Sequence, residues 1–133
     1  MKNSKAVWAF LILSSIIGLY VGVGLLFFPI SFQAQSEIIL GDNISLLSDT
    51  RASGTVIVFA SLLILLGIFR IAWTYISLLV SSLIFLSYGI GRILSLLLDG
   101  MPSQGLFVAM ILELLIGFWG FILLRKQQNP MAE

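Results

Sequence analysis

The sequence predicts an all-α, four-helix transmembrane bundle with both termini on the cytoplasmic side. Three observations predict it. Hydrophobic residues make up 59% of the 133-residue chain and charged residues only 10%, against roughly 45–50% and about 25% in soluble domains. Four long apolar segments follow one another, each close to the roughly 20 residues that a bilayer-spanning helix needs. Lys and Arg gather at one end of those segments, the bias that orients membrane proteins. Mean hydropathy is +1.13, so the chain has too little polar surface for a water-facing domain. Disorder is excluded with solubility, because it needs low hydrophobicity and high charge. Net charge is only +1, so the chain carries no electrostatic footprint for nucleic acid. Cys and His are both absent. That excludes disulfides, thiol redox chemistry and the usual zinc and haem ligands. No metal site and no cofactor is expected.

The whole chain, 1–133, reads as a single transmembrane domain. The first span covers Val7 to Phe28, free of charge and closed by Pro29. Lys2 and Lys5 precede it, as in a signal peptide, but this apolar run is longer than the roughly 7–15 residues of a signal h-region. Ala34-Gln35-Ser36 is the one plausible cleavage pattern, and it lies beyond Pro29. The span is therefore expected to be retained. Residues 30–50 contain Glu37-Ile38-Ile39-Leu40 and then Gly41-Asp42-Asn43, a short interfacial element followed by a turn. The second span runs from about Ala52 to Phe69, with Asp49 or Thr50 as its natural N-cap. The third begins at Ile71, reaches Arg92, and continues apolar to Leu98. An untilted helix from Ile71 reaches Arg92 after roughly 30 Å, about one hydrocarbon thickness. Either the helix tilts and submerges Arg92, or it bends near Gly89 and Gly91. The fourth span covers Gly105 to Leu124, with Glu113 at its middle and Arg125-Lys126 at its exit.

With the N-terminus inside, Lys2, Lys5, Arg70, Arg125 and Lys126 are cytoplasmic, and only Arg51 and Arg92 lie toward the other side. Trp8, Trp73 and Trp119 then sit near the inner interface, where indole is favoured. Small residues mark the expected helix contacts. The first span carries Ser14, Gly18 and Gly22; the fourth carries Gly117 and Gly120 on the face of Glu113. Packing within one chain is the ordinary reading of such residues, ahead of a dedicated dimer face.

Three intramembrane charges carry the functional signal. Arg92 and Glu113 are equally far in sequence from the Pro102-Ser103 turn, so an antiparallel hairpin sets them at one depth. The same reasoning about the Arg70-Ile71 turn brings Arg51 to that level. Such charges usually face the bundle interior and pair. Glu113 is expected to bond Arg92 or Arg51, since the guanidinium fork suits a carboxylate. Tyr88, one turn from Arg92, is expected to add a hydrogen bond, and Asp99 to mark the return to water. The cluster then has two readings of equal weight. One is an ion-pair clamp that fixes helix register. The other is a binding site, in which two arginines and one glutamate leave a positive charge for an anionic or strongly hydrogen-bonding ligand head. A proton relay needs an unpaired carboxyl, and two neighbouring arginines argue against it.

At these residues the chain resembles a family. Asp49-Thr50-Arg51-Ala52-Ser53-Gly54, the stretch Gly91-Arg92 to Asp99-Gly100-Met101-Pro102, and Leu112-Glu113-Leu114, together with Pro29, resemble the domain-of-unknown-function 4345 family of small membrane proteins. The Gly-Arg to Asp-Gly-x-Pro stretch is the most specific piece. The family pattern has a bulky aromatic before the glycine where this chain has Ser53, which alters the wall of any pocket there. The resemblance implies a four-helix protein of the bacterial inner membrane, loosely similar to DoxX-like bundles, and implies no activity. The family's charged pattern falls on Arg51, Arg92, Asp99 and Glu113.

Three functions follow from these residues. The first is a non-enzymatic bundle that binds a small or lipid-like ligand in its outer half. The second is an accessory subunit packed against a larger membrane-protein partner, motivated by small size, short loops and the Gly18/Gly22 ridge. The third and weakest is a small proton-coupled exporter, because in the small multidrug transporters the carboxylate lies on the first span. Enzyme activity is the least favoured, since no nucleophile, base and orienting group form a set. Membrane lipid is the expected surrounding partner in every case.

Overall fold

The computed structural model describes residues 4–128. Lys2, counted above with the cytoplasmic positive residues, lies outside the described residues. Five helices carry almost the whole described chain: α1 (Lys5–Phe27), α2 (Pro29–Ala34), α3 (Ile44–Phe69), α4 (Ile71–Asp99) and α5 (Gln104–Gln128). No strand occurs among the described residues. The four long helices are each long and apolar enough to cross a membrane. They run up and down in chain order. One end of the bundle, the terminal end, holds the start of α1 and the end of α5; the other, the loop end, holds α2 and the α4–α5 turn.

Local sequence explains the helix ends. The Ser4 side chain accepts from the Val7 N–H at 3.3 Å and caps α1. Pro29 lacks the N–H needed to continue α1. Placed at the first turn of α2, where no donor is needed, it starts a new short helix instead. The sequence reading put only an interfacial element and a turn in this region. The α2 helix precedes that element, and the turn that follows has Gly41 at φ 57°. The second span also starts earlier than expected. Asn43, not Asp49 or Thr50, is its N-cap, with its Oδ1 accepting from the Leu46 N–H at 3.1 Å. Residues 44–48 then form the first turn of α3 rather than a loop. Helix α4 runs unbroken through Gly89 and Gly91 to Asp99. It ends where Gly100 takes φ 100°, a backbone conformation that costs glycine little.

Neighbouring helices touch through residues without bulk. Gly22 and Gly54 face each other between α1 and α3: a Cβ on Gly54 would lie 2.6 Å from the Leu26 nitrogen and 2.9 Å from the Gly22 carbonyl. The turn between α3 and α4 is tied by hydrogen bonds. Thr74 Oγ1 donates to the Gly67 carbonyl at 3.0 Å, and Ser77 Oγ donates to the Leu63 carbonyl at 2.8 Å. Between α4 and α5, Gly89 lies against Leu114 and Gly117 against Leu86. Such close backbone approach is how membrane helices gain dispersion contact without a hydrophobic driving force.

The buried core sits toward the terminal end. Phe10 and Leu11 of α1, Ile64 of α3, Leu78 of α4 and Ile116 and Leu123 of α5 form it. Phe10 is wholly buried. It packs on Gly120 and meets the Trp119 ring edge-on, with centroids 5.3 Å apart. A layer of buried hydroxyls from Ser14, Ser15, Ser61, Thr74, Ser77, Ser81 and Ser82 lies among these side chains. Ser14, Ser61 and Ser82 donate back to the carbonyl one turn earlier. Among the buried side-chain polar atoms described, only Ser81 Oγ has no hydrogen-bond partner. Large apolar side chains point outward, Phe59 being 69% exposed and Leu115 63%. Such an apolar exterior suits hydrocarbon as solvent and would be a liability in water.

Candidate functional site

The register of the α4–α5 hairpin builds the site. Gly89 and Leu114 mesh at one level, and Leu86 and Gly117 mesh three residues back along α4 and three on along α5. Continuing that register toward the loop end sets Arg92 opposite Ile111, two residues from Glu113 along α5 and within reach of its carboxylate. Arg92 lies about 10 Å from the end of α4 and Glu113 about 13 Å from the start of α5, at 1.5 Å per residue. Arg92 Nε donates to Glu113 Oε2 at 2.8 Å. This is the only ion pair among the described residues. The carboxylate side is the more enclosed, with side-chain exposures of 29% for Arg92 and 16% for Glu113.

Bonding through Nε has a consequence. The two terminal guanidinium nitrogens, Nη1 and Nη2, make no hydrogen bond within the described residues. They belong to a side chain that lines a groove of about 390 Å³ at the loop end. Helix α4 supplies Ser87, Tyr88, Gly91, Arg92 and Ser95, which recur at helical spacing on one face. Pro102 and Leu106 supply the apolar end wall. A Cβ added to Gly91 would meet nothing within 4 Å, so the glycine keeps the groove open. The Tyr88 ring lies under the guanidinium, 5.9 Å from its carbon to the ring centroid, within cation–π range. The volume sits at the small end of the roughly 300–1,000 Å³ typical of ligand pockets.

The other residues singled out in the sequence fall elsewhere. Arg51 does not join the pair, contrary to the one-level cluster of three. Its Nη1 donates to the Leu26 carbonyl in the last turn of α1. The physical reason is Pro29: α1 stops there, so its last carbonyls are left without helical donors, and a cation at a helix C-terminus also suits the dipole. Asp99 is likewise apart from the arginines and accepts from Ser95 Oγ at 2.8 Å. Tyr88 meets Arg92 through its ring face, and its hydroxyl makes no hydrogen bond within the described residues. Gly18 and Gly22 pack against Ser61, Val58 and Gly54 of the same chain, and Gly117 and Gly120 against Leu86, Ser82 and Phe10.

Sequence reasoning missed Ser87, Gly91 and Ser95 as groove residues, and Gly54, Gly67 and Gly89 as contact points. A signal for the first group was present. Ser87, Gly91 and Ser95 recur every four residues inside an apolar run, which places a polar stripe on one helix face. Tyr88 and Arg92, singled out in the sequence, each lie one position further along the helix.

No curated protein and no solved structure among those compared matches the chain. A family model does match, over residues 7–124, from the first turn of α1 to the last turns of α5. It therefore takes in all four long helices, the Arg92–Glu113 pair and every residue of the groove. The chain belongs to the family described as a domain of unknown function, DUF4345.

Proposed function

We propose that this chain is an integral protein of the bacterial inner membrane, N-in and C-in, that binds the polar head of a small or lipid-like ligand in the α4–α5 groove. The observation that carries the reading is the state of Arg92. Its Nε is held by Glu113, while Nη1 and Nη2 have no hydrogen-bond partner among the described residues and belong to a side chain lining the open groove. A clamp alone would spend the fork on the carboxylate, since Arg–carboxylate pairs are frequently bidentate. Here the clamp and the site use different atoms of one guanidinium. The neighbouring Ser87 and Tyr88 hydroxyls add unused polar groups. Polar side chains on the outside of a spanning helix are costly unless something polar meets them. No nucleophile–base set lines the groove, so binding is favoured over catalysis. The accessory-subunit reading keeps its motives in small size and short loops but not in the Gly18/Gly22 ridge, which packs inside the chain.

The test is native mass spectrometry of the protein released from mild detergent, comparing wild type with Arg92→Gln and Gly91→Trp. A retained small molecule or lipid is expected on wild type and is expected to be lost from both variants. Wild type without any adduct, or an adduct that both variants keep, overturns the proposal.

A further inference from the structure

We infer that the groove selects an uncharged hydrogen-bond acceptor, the carbonyl of an ester or amide on an amphiphile, and rejects an anion. The inference rests on the proposed groove and specifies its ligand class. Charge decides it. A cluster of Arg51, Arg92 and Glu113 would hold one surplus positive charge and invite a carboxylate or phosphate. The structure removes Arg51, whose guanidinium serves the Leu26 carbonyl at the end of α1. What remains is Arg92 with Glu113, one positive and one negative charge 2.8 Å apart, a pair that is neutral as a whole. The next charge along α4 is Asp99, held one turn beyond the groove by the groove residue Ser95. The remaining described positive side chains, Lys5, Arg70, Arg125 and Lys126, lie at the terminal end of their helices. An anionic head would therefore meet a groove on a membrane-spanning helix whose one cation is already paired with Glu113, and a charge without a free counter-charge is disfavoured there.

Donor capacity remains without net charge. The free Nη groups of Arg92 offer N–H donors. The Tyr88 hydroxyl and the Ser87 hydroxyl, neither bonded within the described residues, offer more. A carbonyl oxygen accepts such donors and brings no charge to compensate. The acyl part of the ligand has an apolar wall in Pro102 and Leu106. A volume of about 390 Å³ holds a head and a few carbons, so the rest of the chain lies along the apolar exterior of α4. Glu113 is then a positioning residue with a second task. It orients the guanidinium through Nε, and it cancels the charge that would attract anions.

The experiment compares methyl dodecanoate with dodecanoate, at equal mole fraction in dodecyl maltoside micelles and at about pH 8, above the ordinary carboxyl range. Binding is read by native mass spectrometry, with Gly91→Trp as the baseline for attachment outside the groove. Wild type is expected to hold the ester on the order of tenfold more than the carboxylate. Glu113→Gln keeps an acceptor for Nε but leaves Arg92 uncompensated, so its preference is expected to reverse toward dodecanoate. Where Glu113→Gln does not fold, the wild-type ratio decides. Equal binding of both probes, or dodecanoate held better by wild type, with Gly91→Trp abolishing it, overturns the uncharged-acceptor inference and leaves the groove as the binding site. Binding of both probes unaffected by Gly91→Trp overturns the groove itself. Acetate and inorganic phosphate, tried alone, are expected to leave no adduct; retention of either also overturns the inference.

Discussion

Replacing Gly54 with alanine is expected to destabilise the bundle, while the same change at Gly91 is expected to stabilise it slightly. At Gly54 the added carbon would stand 2.6 Å from the Leu26 nitrogen, 2.9 Å from the Gly22 carbonyl oxygen and 2.9 Å from Leu25 Cβ. Ordinary carbon contacts lie at about 3.5–4.0 Å, so α1 and α3 must part by about 1 Å at their crossing. Two of the three obstructing atoms belong to backbone and cannot rotate away. Overpacking of this kind costs about 1–3 kcal/mol, and the rigid neighbours put Gly54 toward the upper end. The shift also moves α1 at Leu26, the residue whose carbonyl Arg51 serves. Alanine returns up to about 1 kcal/mol of helix propensity. At Gly91 only that return operates, because nothing lies within 4 Å of the new carbon. Both sites are helical, so the propensity gain cancels in the comparison. The difference between the two variants is expected to be about 2–3 kcal/mol. Reversible unfolding of the purified protein by sodium dodecyl sulfate in mixed micelles, followed by circular dichroism, measures it. If Gly54→Ala is as stable as Gly91→Ala, the close α1–α3 approach is not what holds this pair of helices.

Four further outcomes can be read in the same assay. In a double-mutant cycle, Arg92→Gln and Glu113→Gln are expected to show a coupling of about 1–3 kcal/mol, between the values for exposed and fully buried pairs. Arg51→Gln should couple to Glu113→Gln by less than about 0.5 kcal/mol, and a coupling equal to that of Arg92 would return Arg51 to the cluster. Ser77→Ala is expected to lose about 0.6–1.7 kcal/mol with its interhelical hydrogen bond. Ser81→Ala removes a buried hydroxyl that has no partner, so stability should hold or rise; a loss as large as that of Ser77→Ala would show that Ser81 Oγ is bonded.

Composition and periodicity determined the class of this protein before any contact was known. Four apolar runs of spanning length admit few alternatives, because only helices satisfy every backbone group locally in lipid. The Arg92–Glu113 level was also legible, since equal distance from the Pro102-Ser103 turn fixes equal depth in an antiparallel hairpin. Depth is not azimuth, however. Arg51 shares the level in sequence arithmetic, but its direction depends on which way α3 faces, and on the carbonyls that Pro29 leaves open at the end of α1. That competition between a carboxylate and a helix terminus is invisible to spacing. The start of α3 was hidden for a related reason: residues 44–48 read as part of the connection before an Asp49 or Thr50 cap, yet Asn43 caps them into helix. Which glycines carry contacts, and that Arg92 meets Glu113 through Nε with its two terminal nitrogens unbonded among the described residues, came only from the tertiary structure. Sequence sets which residues share a depth; packing sets which atoms of a side chain are consumed and which remain to meet a ligand.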